Sequence, residues 1–217
     1  MKRQYSAIFC NTQSEPEIVE QIFRMRKKIF IDHYGWELPQ YDDREIDAFD
    51  SLFTVHCALF QGERPVACFR AIRTDHPYLS AWVFPQLASE RPYPKRPDAW
   101  EISRFGVLPD CQGDLRYSVL NYALMFHFAA QVQARHLVAC AEPAHERFLQ
   151  QIGIRTARYG PPSIVGTTKR GDPLVVVAGD IPIAEQSGDR FTRLCSALDN
   201  VEIINASYVL GPQRISA

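Results

Sequence analysis

No stretch of this 217-residue chain approaches the ~20 consecutive apolar residues needed to cross a bilayer. Excess charge is missing too. Lys plus Arg (24) nearly cancels Asp plus Glu (25), for a net charge of -1. No global field therefore draws the chain to nucleic acid or acidic lipid. The six cysteines include no CxxC pair, and no His stands at zinc-finger spacing from them. Cys10, Cys57, Cys68 and Cys140 sit in apolar runs and read as buried thiols of a reducing, cytoplasmic compartment. The opening MKRQYSAIFCNTQSEPE has a short apolar stretch followed at once by acids, so no signal peptide is expected. Glycine is sparse, with 11 residues, and never falls into GxGxxG after a strand, GxxxxGK[ST] or GxSxG. Dinucleotide, P-loop and serine-hydrolase readings lose their sequence support. There is no internal repeat and no linker rich in Gly and Ser.

What remains is ordinary globular material: 46% hydrophobic and 23% charged, enough to bury a core in one large domain. Residues 5–10 read as a strand. Residues 17–34 read as a helix, entered through Ser14 as cap and Pro16 in the first turn. Ile18, Ile22, Met25 and Ile29 mark its buried face. Residues 53–60 and 66–73 read as a hairpin across Gly62-Glu63-Arg64. A proline-rich irregular stretch fills 75–97. A strand at 100–107, a long helix at 117–134, a strand at 136–141 and a short helix at 143–152 ended by Gly153 follow. Strands at 154–159 and 174–178 and an amphipathic helix over 183–198 close the pattern. Strand pairs mixed with helices predict an α+β sheet, not a doubly wound one.

Several polar residues stand where packing alone does not want them. Arg26 and Phe30 lie four apart on one helical face, and Trp36 follows just past the helix. Packing explains them, or a binding wall does. The loop 41–50 carries five carboxylates, Asp42, Asp43, Glu45, Asp47 and Asp50. It fits a solvated loop, a magnesium cluster on substrate phosphates, or an acidic and aromatic pocket for a cation. No glycine-rich phosphate cradle accompanies it. Arg70 shares a strand face with Cys68 and Ile72. A guanidinium there needs a buried carboxylate unless that face is solvated. In the strand 100–107, alternation puts Glu101 and Ser103 on one face and Arg104 on the other. These fit a structural ion pair or a carboxylate tuned for catalysis. Gly106 marks a bulge or the close approach of another backbone.

Taken together, Arg26-x-x-x-Phe30, Trp36, Asp47-x-x-Asp50, Phe69-Arg70 and Glu101-Ile102-Ser103-Arg104-Phe105 resemble the acyl-homoserine lactone synthases, the autoinducer synthases of bacterial quorum sensing. The resemblance covers roughly 5–180, with His76-Pro-Tyr-Leu, Val83-Phe-Pro-Gln-Leu and Gly160-Pro-Pro among its pieces. The chain 1–217 is read as one synthase domain, with 181–217 an extension of unassigned role. The resemblance implies a single-domain N-acetyltransferase-like mixed sheet flanked by helices. It implies that S-adenosylmethionine, a substrate rather than a cofactor, attacks an acyl thioester and closes a lactone, releasing methylthioadenosine. The donor is expected to be acyl-carrier protein or acyl-CoA. No metal, nucleic acid or membrane span is expected. Glu101, Ser103 and Arg104 are the expected catalytic residues. Arg26, Phe30, Trp36, Asp47, Asp50 and Arg70 are the expected substrate-binding ones. Arg26, Arg70 and Arg104 all remain open as partners of the methionine carboxylate. Asp110-Cys-Gln-Gly113-Asp114-Leu115 departs from the usual CoA pyrophosphate motif of N-acetyltransferases. Arg24, Lys27 and Lys28 fit a carrier-protein dock or a solvated face. By analogy, 137–141 and 143–149 line the acyl pocket. An N-acyltransferase of the same fold, acting on another amine without lactonisation, is the alternative.

Overall fold

Apolar runs rich in β-branched and aromatic residues form the sheet, and helices with apolar stripes cover it. A computed structural model describes residues 4–207. Along it run β1 (Tyr5–Cys10), α1 (Pro16–Arg26), β2 (Gln40–Tyr41), β3 (Arg44–Glu45), β4 (Val55–Gln61), β5 (Arg64–Arg73) and α2 (Leu79–Val83). Then follow β6 (Ala99–Val107), α3 (Leu115–Gln131), β7 (His136–Ala141), α4 (Pro143–Gln151) and β8 (Ala157–Arg158). Last come β9 (Ser163–Thr167), β10 (Pro173–Pro182), α5 (Asp189–Ser196) and β11 (Val201–Asn205). The main sheet has the order β11-β1-β4-β5-β6-β7-β10-β8, with β9 on β10. It is the expected mixed α+β sheet. Parallel pairing joins β1 to β11 and β6 to β7.

Two irregularities of β6 shape the centre. Its pairing with β7 is registered only at Ala99↔His136, Trp100↔Leu137 and Glu101↔Val138, although both strands run on. The sheet therefore splays open just past Glu101. On the other edge the register slips: Arg70 faces Ser103 but Cys68 faces Gly106. The extra residue is a β-bulge, and Arg104 takes φ 52° there, a left-handed conformation that costs a non-glycine residue.

The first helix departs from its expected form. Pro16 opens it, but Ser14 does not cap it. The Ser14 hydroxyl instead accepts from the Asn11 amide at 3.0 Å, and the cap residue Glu15 makes no side-chain cap bond. After Arg26 the chain continues as a π-helical segment, Lys27–His33. Residues 183–198 are not one helix. A 3-10 turn at Ile183–Glu185 precedes α5, and Gly188 at φ 94° separates them. Neither β9 nor β11 is evident in the sequence pattern. The region 181–207 supplies the parallel edge strand β11; the rest of the C-terminal extension, 208–217, lies outside the described residues. No described helix is long and apolar enough to cross a membrane.

Candidate active site

A buried guanidinium must find acids, and here three do so at once. Arg26, from α1, donates Nε to Glu45 at 2.6 Å and both Nη atoms to Asp50 at 2.7 and 2.8 Å. Arg70, from β5, donates Nη1 to Asp47 at 2.5 Å and to Asp50 at 3.0 Å. Its Nε donates to the Ser103 hydroxyl at 3.0 Å. Arg104 donates Nη2 to Glu45 at 2.9 Å and to Asp47 at 2.7 Å. None of these six charged side chains is more than 7% exposed. Three cations against three anions make the cluster neutral, which is the condition for burying it.

The acidic loop reaches this cluster because the small β2/β3 hairpin, with Asp42 at φ 53° in its turn, swings Glu45 inward. Burial alone would push the Asp50 and Asp47 carboxyls up. The neighbouring guanidiniums outweigh it and hold both below the usual carboxylate range, Arg26 and Arg70 at Asp50, Arg70 and Arg104 at Asp47. His56 lies beside the cluster, its Nε2 3.9 Å from Asp50. It is 1% exposed and neither ring nitrogen has a hydrogen-bond partner. Burial holds its pKa down to about 3.

Strict alternation places Arg104 opposite Ser103. The bulge overturns that: its left-handed turn brings Arg104 to Asp47, which also holds Arg70, the partner of Ser103. The close approach at Gly106 is of side chains, not of another backbone. A Cβ there would lie 3.0 Å from Ile29 and 3.1 Å from the Phe30 ring. Phe30, in the π-helical segment, stacks on Trp36 with centroids 5.1 Å apart and an interplanar angle of 22°, and Tyr34 lies 5.8 Å from Trp36 and 6.3 Å from Phe30. The Arg104 guanidinium lies 5.9 Å from the Phe30 centroid. Arginine, acid and half-buried indole faces thus border one space.

Glu101 stands apart from this network. It is fully buried, and its carboxylate accepts from the amides of Leu79 at 3.0 Å and Ser80 at 2.6 Å, and from the Ser80 hydroxyl. Burial raises its pKa, against the lowering effect of these bonds and of Arg70. The Cys140 thiol donates to the same Ser80 hydroxyl at 3.2 Å. Sequence reasoning misses Ser80 because it lies in the irregular stretch. Glu45 reads there as an acid but not as a partner, and His56 as one more strand residue. Of the three residues that fit a carrier-protein dock, Arg24 pairs with Asp43 at 2.8 Å and Lys27 with Asp32 at 2.7 Å. Lys28 is exposed.

Residues 10–190 match the family model of the autoinducer synthases. The chain belongs to that family. The acyl-homoserine-lactone synthase of Acinetobacter nosocomialis is 32% identical over 149 residues, 64% of this chain and 81% of the relative. That of Ralstonia nicotianae is 32% identical over 212 residues, 91% and 93% of the two chains. Among solved structures, the CoA-dependent acyl-homoserine lactone synthase BjaI with SAM and isopentyl-CoA superposes at a TM-score of 0.80 and 25% identity, covering 92% and 93%. An N-acetyltransferase from Lactobacillus plantarum, at 0.55 and 14% with 82% and 98% covered, shares the fold. This synthase is accordingly an acyl-transferring enzyme.

Proposed function

We propose that this synthase makes an acyl-homoserine lactone from S-adenosylmethionine and an acyl thioester. The α-amine of S-adenosylmethionine attacks the thioester carbonyl and expels the donor thiolate, forming an amide. The methionine carboxylate then attacks its own γ-carbon, breaking the C–S bond of the sulfonium. The lactone closes and methylthioadenosine leaves. No side-chain nucleophile is required.

The observation that carries the reading is the wall of stacked Phe30, Trp36 and Tyr34 beside Asp47 and Arg104. A sulfonium suits aromatic faces, and the substrate's carboxylate suits a guanidinium with a donor to spare. Arg26 has spent Nε and both Nη atoms on carboxylates. Arg70 keeps Nη2 unpartnered but fully buried. Arg104 bonds the acids through Nε and Nη2 only, so Arg104 is the carboxylate partner in this proposal. Arg26 and Arg70 hold Asp50 and Asp47 in place. Glu101 takes the amine proton, and Ser103 helps to hold the relaying water.

The donor is a phosphopantetheine thioester, chemistry shared by acyl-carrier protein and acyl-CoA. Its extended arm fits the open edge of β6 beyond Glu101. A cytoplasmic location belongs to the same proposal, supported by six unpaired cysteines. Calorimetric titration with S-adenosylmethionine tests the placement. Trp36→Ala is expected to bind ~1 to 2 kcal/mol more weakly through loss of the cation–aromatic contact, and unchanged affinity would remove the pocket from this place.

A further inference from the structure

Among the described residues no guanidinium is bonded to the buried carboxylate of Glu101. Arg70 acts on it from a distance, and its own bonds go to Asp47, Asp50 and Ser103. What stabilises the carboxylate is a set of donors from two successive residues: the Leu79 amide at 3.0 Å, the Ser80 amide at 2.6 Å and the Ser80 hydroxyl. The two amides open α2, where the first N–H groups of a helix have no partner within it. They belong to the backbone, and side-chain chemistry cannot tune them. The Ser80 hydroxyl is the one donor that the sequence chooses.

That hydroxyl is itself held. It has a single proton, which goes to Glu101, and its oxygen accepts the Cys140 thiol at 3.2 Å. Burial pushes the thiol pKa up to about 11, so it stays protonated and remains a donor. The Tyr93 hydroxyl, donating to the Phe84 carbonyl at 3.2 Å, lies 3.8 Å from the same sulfur. Cys140 stands past Val138, the last β7 residue paired with β6. The donor chain from Cys140 to Ser80 to Glu101 thus joins β7, α2 and β6 where the backbone ladder has stopped. Its members point one way, toward the carboxylate, and each bond polarises the next.

We propose that Ser80 and Cys140 are positioning residues for the lactone-forming reaction: their donor chain aims the Glu101 carboxylate and favours its charged form, the form that takes the amine proton. The inference rests on Glu101 as the base in the proposed function and adds the groups that prepare it. The other titratable groups acting on Glu101 are Arg70 from β5, Tyr78 ahead of α2, Tyr93 after it and Cys140 from β7. Burial raises both tyrosines and the thiol, and Arg70 keeps its charge. All four therefore hold one charge state at and below neutral pH, and a titration seen at this carboxylate there belongs to Glu101.

The test follows the Leu79 amide by heteronuclear NMR in the full chain as pH is lowered, because that amide bonds the carboxylate directly and no substitution touches it. Ser80→Ala is expected to raise the titration midpoint by about one pH unit, the scale of one lost hydrogen bond to a charge. Cys140→Ala should move it the same way by less. Cys140→Ser, which supplies an O–H donor, should return it to the wild-type value or below. The kcat of lactone formation by Ser80→Ala should fall about tenfold at pH values below both midpoints and match wild type above them. The substrate amine titrates alike in every variant and cancels from the comparison. An equal loss of kcat at every pH, with a lower melting temperature, would make the chain a structural pin and overturn the inference. A Leu79 midpoint unmoved in Ser80→Ala overturns it too, and leaves the base role of Glu101 to the Glu101→Gln variant. A midpoint that moves while kcat keeps its wild-type pH profile removes Glu101 as the base, and the inference with it.

Discussion

At Glu101 two demands meet in one carboxylate. It anchors the start of α2 through three donors from Leu79 and Ser80, and in the proposed reaction it takes a proton from an amine. Glu101→Gln keeps the shape but turns an amide N–H toward one of those donors, at ~1 to 3 kcal/mol in stability. As a base it is worth ~10² to 10⁴ in rate. The two roles separate by pH. A lost base is partly rescued as pH rises and the free amine becomes neutral, so the rate deficit of Glu101→Gln should shrink. A deficit independent of pH would leave only the anchoring role. His56 gives a second residue-scale expectation. Its folded pKa of about 3 lies below the 6.5 of a free histidine. Between those values the unfolded chain binds a proton that the folded one refuses, so stability falls as pH drops from about 6.5. His127 and His145 are lowered as well and add to the slope. His56→Leu should flatten that slope by ~1.4 kcal/mol per pH unit between about pH 6 and 4.5. Urea melts at several pH values check this, and an unaltered slope would contradict it. The partners of Arg70 were legible in the sequence, because a guanidinium on an apolar strand face has few ways to be stable; those of Arg26, on a helix, were not. His56 was not, since nothing in a strand pattern marks a histidine that lacks partners.

Elements misread by their period are the ones that build the site. Strict alternation along β6 puts Arg104 on the wrong face, because one inserted residue at the bulge reverses the count. Gly106 is the visible clue, and it serves a second purpose by letting Ile29 and Phe30 press against the strand. Gly106→Ala would overpack that contact at ~1 to 3 kcal/mol and push the Phe30 ring from the wall it shares with Trp36. Weaker S-adenosylmethionine binding is expected together with a lower melting midpoint. A variant that loses neither would show that the contact has slack. The π-helical segment Lys27–His33 has no periodic signature in seven residues, so the sequence shows helix there and no more. Such segments cost a standard hydrogen-bond pattern and recur at functional sites. Here the segment carries Phe30. β9 and β11 were also illegible: each has five residues, SIVGT and VEIIN, and an adjacent apolar pair breaks the alternation in both.

At the scale of the whole molecule, one feature organises the rest. A sheet that pairs β6 with β7 over three residues and then opens leaves an unpaired strand edge inside the fold, which globular proteins otherwise avoid. The carboxylate of Glu101 lies at the last pair. The neutral arginine cluster and the aromatic wall lie on the β5 side of it. The class of fold follows from hydrophobic patterning. The splay does not, because both segments still read as strands past the point where they separate. The central claim is that these features serve one reaction with two bond-making steps. Purified protein incubated with S-adenosylmethionine and isovaleryl thioester, on CoA or on acyl-carrier protein, should yield acyl-homoserine lactone and methylthioadenosine in equal amounts by mass spectrometry. An N-acylated amine that accumulates without methylthioadenosine, or no acylated product at all, would contradict it.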